Sequence, residues 1–346
     1  MTVQGGGEIA RSPERGDAAP RRAIRAVADW LWRYKENLGL VPVIFLLALI
    51  GSLVSPAFLT TGNIINVLQQ SAVLGFIVFA GSLVIISGKF DLSLEGTLNF
   101  APMLGAWLLV SAAPGSGVGL DPFVAIGVAI ACGAAIGLVN SFLIVWIGLN
   151  SFLATLAMQI LLAGLTYMLT SGLTLYSPSR DYLWIGQARV GGIPLSIVAA
   201  ALLFVAGTIF MRYHKSGRRI LAVGGSVDAA RSAGIRPGLV WTGVFVLGGV
   251  LAAIAGLILS GRVDAVTVGQ GRGITFDMFA AAAIGGISLS GGRGHLPGAL
   301  LGVLLLGLIG NVMTLAQIQT QVINAVRGAI ILIALIINRY VVAQRG

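Results

Sequence analysis

The sequence predicts an all-α protein that crosses a membrane about ten times. Apolar residues make up 57% of its 346 residues and charged residues 10%, whereas soluble domains hold roughly 45–50% and 25%. Mean hydropathy is +0.95. Apolar runs of about the 20 residues that a helix needs to cross ~30 Å of hydrocarbon recur along the chain, and basic residues gather at alternate gaps between them. A net charge of +10 would suit nucleic acid on a soluble domain. Here it comes mostly from arginines in the N-terminal segment and beside apolar runs, so lipid headgroups and membrane orientation account for it and no nucleic-acid partner is expected.

Residues 1–37 are rich in Gly, Ala, Arg and Pro and lack the apolar core of a signal peptide, so they read as a cytoplasmic tail. The membrane domain covers 38–338. Its predicted spans are Leu38–Phe58, Ile64–Ser87, Leu92–Val110, Phe123–Ile147, Phe152–Thr170, Ile193–Phe210, Leu239–Ser260, Thr275–Leu289, Leu296–Leu315 and Gln321–Ile337. The third and eighth are interrupted by glycine and carry polar residues, which predicts short or broken helices. Such backbone is tolerated at membrane depth only where protein or a cavity covers it. Residues 339–346 form a short C-terminal tail.

Placing both termini inside puts seventeen of the 22 lysines and arginines on the inner side and leaves Arg180, Arg189, Arg262 and Arg272 outside, with Arg327 within the last span. This asymmetry supports ten spans and cytoplasmic termini. Ser87–Gly96 (SGKFDLSLEG) echoes Gly285–Gly294 (GGISLSGGRG), as a weak internal repeat with two polar turns on one side would give. The glycine pairs Gly133/Gly137 and Gly298/Gly302 predict close helix packing within the chain. Cys132, the single cysteine, lies in an apolar stretch and reads as a small core residue. His214 and His295 have no second ligand at helical spacing, so no metal site is expected.

The polar island Gly217–Gly238 separates two membrane-length runs. Gly224 and Gly225 predict a bend, Ser226 an N-cap and Asp228 a favourable first-turn charge. Gly234 and Pro237 predict the stop of a short exposed helix over Asp228–Gly234. The wider loop, 212–238, is a candidate docking surface. Among residues within spans, Asn66, Gln69 and Gln70 share one helix face, which lipid would penalise, so they predict a pathway or interhelical contacts. Asn99, Gln159, Asn311 and Asn324 are further amides in apolar runs; Asn99 and Asn311 join the pathway candidates. Asp91 and Glu95, four residues apart at an inner turn with Arg293 in the echoing turn, suggest a gate or an ion pair with Lys89 or Arg293. Arg327 lies shallow enough in its span to snorkel.

These segments carry a resemblance. The island resembles the coupling loop of ABC importer permeases, with Asp228-Ala229-Ala230 and Gly234 where their pattern has Glu-Ala-Ala and a glycine four residues on. NIINVLQQSA from Asn63, LVIISGKFDLSLEG from Leu83, NSFLATLAM from Asn150, AVGGSVDAARSAGI from Ala222 and AAIGGISLSGGRG from Ala282, in that order, are similar to ribose/xylose-type sugar permeases over about Asn37–Asn338. Those permeases have a Gly-Gly-Ile-Asp-Leu-Ser turn where this chain has Gly88-Lys89-Phe90-Asp91-Leu92-Ser93, which weakens transfer of a named sugar.

The resemblance implies a permease subunit of a bacterial inner membrane, moving a monosaccharide or small polyol delivered by a periplasmic or extracellular binding protein and pairing with a second copy. It implies coupling to ABC ATPase subunits through Gly224, Gly225, Asp228, Ala229, Ala230, Arg231 and Gly234. None of the three lysines sits in GxxxxGK[ST], so ATP and Mg belong on the partner ATPase and this chain needs no cofactor of its own. A secondary transporter would use buried carboxylates, and here the acidic residues fall in tails, loops and span ends. No hydrolase or metallopeptidase motif points to an enzyme. Other solutes of such permeases, branched-chain amino acids or nucleosides, remain alternatives.

Overall fold

The computed structural model describes residues 39–110, 118–176 and 178–343; the expected tail over 1–37 lies outside the described residues, as do 344–346 of the C-terminal tail. The helices are α1 (Leu40–Val54), α2 (Thr61–Ile86), α3 (Ser93–Leu109), α4 (Pro122–Ser141), α5 (Ser151–Thr170), α6 (Arg180–Gln187) and α7 (Leu195–Tyr213). They continue as α8 (Lys215–Gly225), α9 (Val227–Ser232), α10 (Pro237–Val263), α11 (Ile274–Ile284), α12 (Leu296–Leu315) and α13 (Thr320–Ala343). Two-residue strands β1 (Leu175–Tyr176) and β4 (Ala265–Val266) pair antiparallel, as do β2 (Arg189–Val190) and β3 (Ile193–Pro194).

All ten predicted spans are helical. Among the described residues six helices are long and apolar enough to cross a membrane alone: α2, α4 with its π-helical extension Phe142–Trp146, α5, α7, α10 and α12. By contrast α1, α3 and α11 have only 15, 17 and 11 residues. The eighth span was expected to reach Leu289, but its helix stops at Ile284 and a glycine-rich turn follows. The last helix runs on past Ile337 to Ala343.

Burial inverts the pattern of a soluble protein. The centre is α2, buried at every position from Ser71 to Ile86, with α7, α10, α11 and α12 against it. The flanking α4, α5 and α7 expose Phe123, Leu153, Ile160 and Leu202, apolar faces that suit lipid. Between α4 and α10 the backbones touch: a β-carbon on Gly133 would come within 2.8 Å of the Ala253 methyl and press on the Gly249 carbonyl. The glycine pair therefore packs within the chain, as its spacing predicts.

The two weak spans are short because irregular backbone leads into each, and side chains satisfy that backbone. Before α3, the Phe90 and Leu92 amides donate to Ser151 Oγ (3.2 Å) and Thr155 Oγ1 (3.0 Å) of α5. Before α11 the Gly269 amide donates to Asn99 Oδ1 at 3.2 Å, and in its first turn the Thr275 amide donates to Glu95 Oε2 at 3.3 Å. Gln270 donates to the Leu98 carbonyl and accepts from Ser260 Oγ, both at 3.1 Å. With no water available in hydrocarbon, each of these amides needs such a partner.

Candidate functional site

Two places gather the sequence candidates, one at the end of the bundle carrying the island and one toward the opposite, far end. In the island, α8 already begins at Lys215, where His214 Nδ1 accepts from the Ser216 amide at 3.2 Å. The sequence reading gave this stretch only a bend. The chain breaks at Ser226, whose Oγ accepts from the Ala229 amide at 3.2 Å and starts α9. Gly234, at φ +76°, ends it, and the Ile235 amide reaches back to the Ala230 carbonyl at 3.0 Å. This left-handed closure suits glycine, which lacks a β-carbon. Ala230 is buried, while Asp228, Ala229 and Arg231 face outward, the last pairing with Asp228 at 3.4 Å across one turn.

The island rests on both echoing turns through glycine. The Gly292 amide donates to the Ile86 carbonyl at 2.8 Å. A β-carbon on Gly224 would collide with that same carbonyl and lie 2.6 Å from the Gly292 nitrogen; one on Gly291 would lie 2.8 Å from Gly88 Cα. So the end of α8, the turn after α2 and the turn after α11 meet backbone to backbone, which no larger residue permits. Trp241 of α10 locks the joint, its Nε1 donating to the Ser87 carbonyl at 3.0 Å while Lys89 Nζ lies 4.3 Å from its ring centroid, a cation–π contact. Phe90 packs against Phe152 and Phe279. Lys89 and Phe90, the departure from the sugar-permease turn, are thus built into the joint.

The acidic pair at this turn does not form the expected ion pairs. Among the described residues neither Asp91 nor Glu95 bridges to Lys89 or Arg293. Asp91 is buried and accepts from the Ser93 amide (2.9 Å) and hydroxyl (2.6 Å), capping the start of α3, and Asn140 donates to Ser93 Oγ at 2.7 Å. Glu95 turns to α11 instead. Arg293 is exposed at the island end.

Toward the far end a cleft of about 210 Å³ opens between α2, α10, α11, α12 and α13, with Gln70, Ser71, Arg262, Arg272, Asp277 and Arg327 in its wall. Arg327 does not snorkel. Its guanidinium donates to Asp277 Oδ2 at 3.2 Å, with the two side chains only 30% and 18% exposed. The predicted polar face of α2 is divided among partners: Asn66 accepts from Arg262 at 2.8 Å, Gln69 donates to the Gly186 carbonyl at 3.3 Å, and Gln70 stays exposed at the cleft. The other two pathway candidates are engaged between elements, Asn99 with Gly269 and Asn311 in a reciprocal amide pair with Asn63 at 2.8 and 3.0 Å. Ser71, Arg262, Asn63 and Trp241 were missed. The only signal in the sequence was a polar or aromatic residue inside or at the end of a span.

A bundle of membrane helices that carries a short, capped, outward-facing helix at one end fits the class of membrane permeases. Residues 63–335 match the family described as branched-chain amino acid transport system / permease component, and the chain belongs to that family. It is 35% identical over 306 residues to the ribose import permease protein RbsC of Bacillus subtilis (strain 168), covering 88% of this chain and 93% of the relative. It is 32% identical to RbsC of Escherichia coli (strain K12), with the same coverage. It is 30% identical to the D-allose transport system permease protein AlsC of E. coli K12, over 86% of this chain and 89% of the relative.

Proposed function

We propose that the chain is the permease subunit of an ATP-driven importer of a monosaccharide, working as one of two copies. The observation that carries the reading is the island: a short helix with Asp228, Ala229 and Arg231 exposed and Ala230 buried, seated through Gly224 on the ends of two core segments, in a chain whose sequence has no nucleotide loop. The sugars named for the relatives favour a monosaccharide over a branched-chain amino acid or nucleoside. The two carboxylates most buried among the candidates are both engaged, Asp91 by the amide and hydroxyl of Ser93 and Asp277 by Arg327, which speaks against ion coupling.

In this reading the chain performs no chemistry; ATP and Mg sit on separate ATPase subunits that grip α9. An open groove of about 480 Å³ beside it, lined by Trp146, Arg231, Gly234 and Pro237 among others, suits such a partner. The asymmetry of basic residues favours a cytoplasmic island end and cytoplasmic termini, with the bundle in a bacterial inner membrane and a binding protein delivering solute at the far end. Asn66 and Gln70 are exposed on a membrane helix, where lipid would penalise them; a second copy facing them across a shared pathway removes that cost. ATPase closure displaces α9, the glycine joint passes the displacement to α2 and α11, and both reach the cleft, so a push at one end moves walls near the other.

The test reconstitutes permease, ATPase and binding protein in proteoliposomes. Asp228→Trp should abolish ATPase stimulation by loaded binding protein while the permease keeps its thermal midpoint. Undiminished stimulation would refute docking at α9.

A further inference from the structure

We propose that the corner between α7 and α8 is a binding site for an anionic phospholipid, whose headgroup meets a basic cluster while an acyl chain lies along α7. Leu202, Val205 and Ile209 are each more than half exposed, and their spacing of three and four residues sets them in one stripe on the helix. That stripe runs into Tyr213, itself 64% exposed, and the exposed Arg212. The Arg212 guanidinium carbon lies 5.3 Å from the centroid of the Tyr213 ring, a cation–π contact of the kind suited to the belt where aromatic rings meet headgroups.

The next helix brings more charge to the same place. After the break at His214, α8 exposes Lys215, Arg218 and Arg219 at the i, i+3 and i+4 positions of one face, while Gly217, Ile220 and Val223 are buried on the other. The corner is tightly set: a β-carbon on Gly217 would come within 2.5 Å of the Phe210 carbonyl, and Arg218 Nη1 donates to the Tyr213 carbonyl at 2.9 Å. Among the described residues Arg212, Lys215, Arg218 and Arg219 form no ion pair, and the nearest acidic residue along the chain, Asp228, is taken by Arg231. Four such cations just beyond a membrane helix attract acidic headgroups. Membrane orientation needs only the charge; it needs neither the aromatic step nor the apolar stripe. An acidic protein surface would match the cations and leave the stripe bare, whereas an anionic phospholipid matches both. Resting on the permease reading, the lipid also bears on coupling, because α8 is 11 residues long, ~16 Å at 1.5 Å per residue, and its last turn holds Gly224 against the Ile86 carbonyl. A headgroup that steadies the start of α8 steadies the joint.

The test measures, by native mass spectrometry of the purified full chain, how strongly it retains phosphatidylglycerol over phosphatidylcholine. Arg212→Gln and Arg218→Gln should each weaken that preference about fivefold, and together about twenty-five-fold, the pull of one surface cation on an acidic headgroup at each step. Arg293→Gln, which removes an exposed cation at the same end of the bundle but outside the corner, should leave it unchanged. Equal preference in the wild type and the double variant overturns the site, and if that variant also binds the ATPase more weakly, the surface belongs to the ATPase. Displacement of the lipid by an equal concentration of soluble glycerol 3-phosphate overturns it too, because a phosphate site needs no acyl chain. In proteoliposomes with ATPase and binding protein, exchanging phosphatidylglycerol for phosphatidylcholine should lower stimulated ATPase activity severalfold in the wild type and far less in the double variant; a wild type indifferent to the exchange overturns the coupling role. Retention is read on the permease alone, so a wild type without stimulated ATPase activity in any lipid refutes the permease reading and leaves the lipid site to be decided by retention.

Discussion

The two ends of α2 meet opposite surroundings. At Ile86 the helix stops against glycine: the Gly292 amide bonds its last carbonyl, and Gly224 sits so close that no side chain fits between. Near Gln70 and Ser71, fifteen or so residues and ~24 Å away at 1.5 Å per residue, the same helix borders an open, charged cleft. α11 repeats the contrast, with Asp277 in the cleft and the Gly291–Gly292 turn in the joint. One end is packed so that displacement cannot be absorbed; the other is loose enough for its walls to part. Close-packed interiors transmit strain, so a bundle meant to turn a push into an opening needs both, joined by stiff helices.

The sharpest way to break that contrast is to fill the tight end. Gly224→Val should destabilise the purified permease by about 3 kcal/mol or more, at the upper end of overpacking costs, and abolish coupled uptake. A β-carbon on the neighbouring Gly225 meets nothing, so Gly225→Val should cost only the ~1 kcal/mol typical of a surface helix end. Thermal midpoints measured in detergent check this; equal losses at the two positions would mean that the joint is not tight.

The cleft end should respond through charge. Arg327→Ala leaves Asp277 largely buried without its partner, and breaking a buried pair costs about 3–5 kcal/mol. With the two side chains 30% and 18% exposed, about 2 kcal/mol is expected after solvent screening. The double change Asp277→Ala with Arg327→Ala should recover most of that stability, because no lone charge remains. Failure of the double variant to recover would show that the arginine stabilises through something other than this pair.

How far these two regions could be read in the sequence follows from how local their causes are. The ten helical segments, Ser226 as a cap and Gly234 as a stop depend on composition and on neighbours within four residues, and the sequence carried them. The shortness of α11 is partly legible in its glycines. Its true start at Ile274 is fixed by Asn99, Glu95 and Gln270 accepting or donating across the bundle, which no local pattern reveals. The same limit applies to function: amides on one face of α2 marked a polar surface, but only the fold shows Asn66 spent on Arg262 and Arg327 paired with Asp277 in the cleft wall. Asp91 was read as an ion-pair partner because its charged neighbours are near in sequence, yet burial turns it to the hydrogen-bond donors of Ser93.

Asn311 offers the smallest effect and the finest distinction. Its amide exchanges hydrogen bonds with Asn63 at 2.8 and 3.0 Å, tying α12 to the start of α2, and Asn63 also donates to the Phe58 carbonyl at 2.9 Å. If the pair is a tie between helices, Asn311→Ala should cost about 1.2 kcal/mol, two interhelical hydrogen bonds at the average of about 0.6 kcal/mol each in a membrane protein. Asn63→Ala, which loses the Phe58 bond as well, should cost about half as much again. Uptake should fall only as far as the folded fraction does. If instead Asn311 meets the passing solute, its alanine variant should slow uptake severalfold at an unchanged thermal midpoint, and Asn63→Ala should not. Measuring both quantities on both variants therefore fixes where the loose end of α2 stops being pathway and becomes framework.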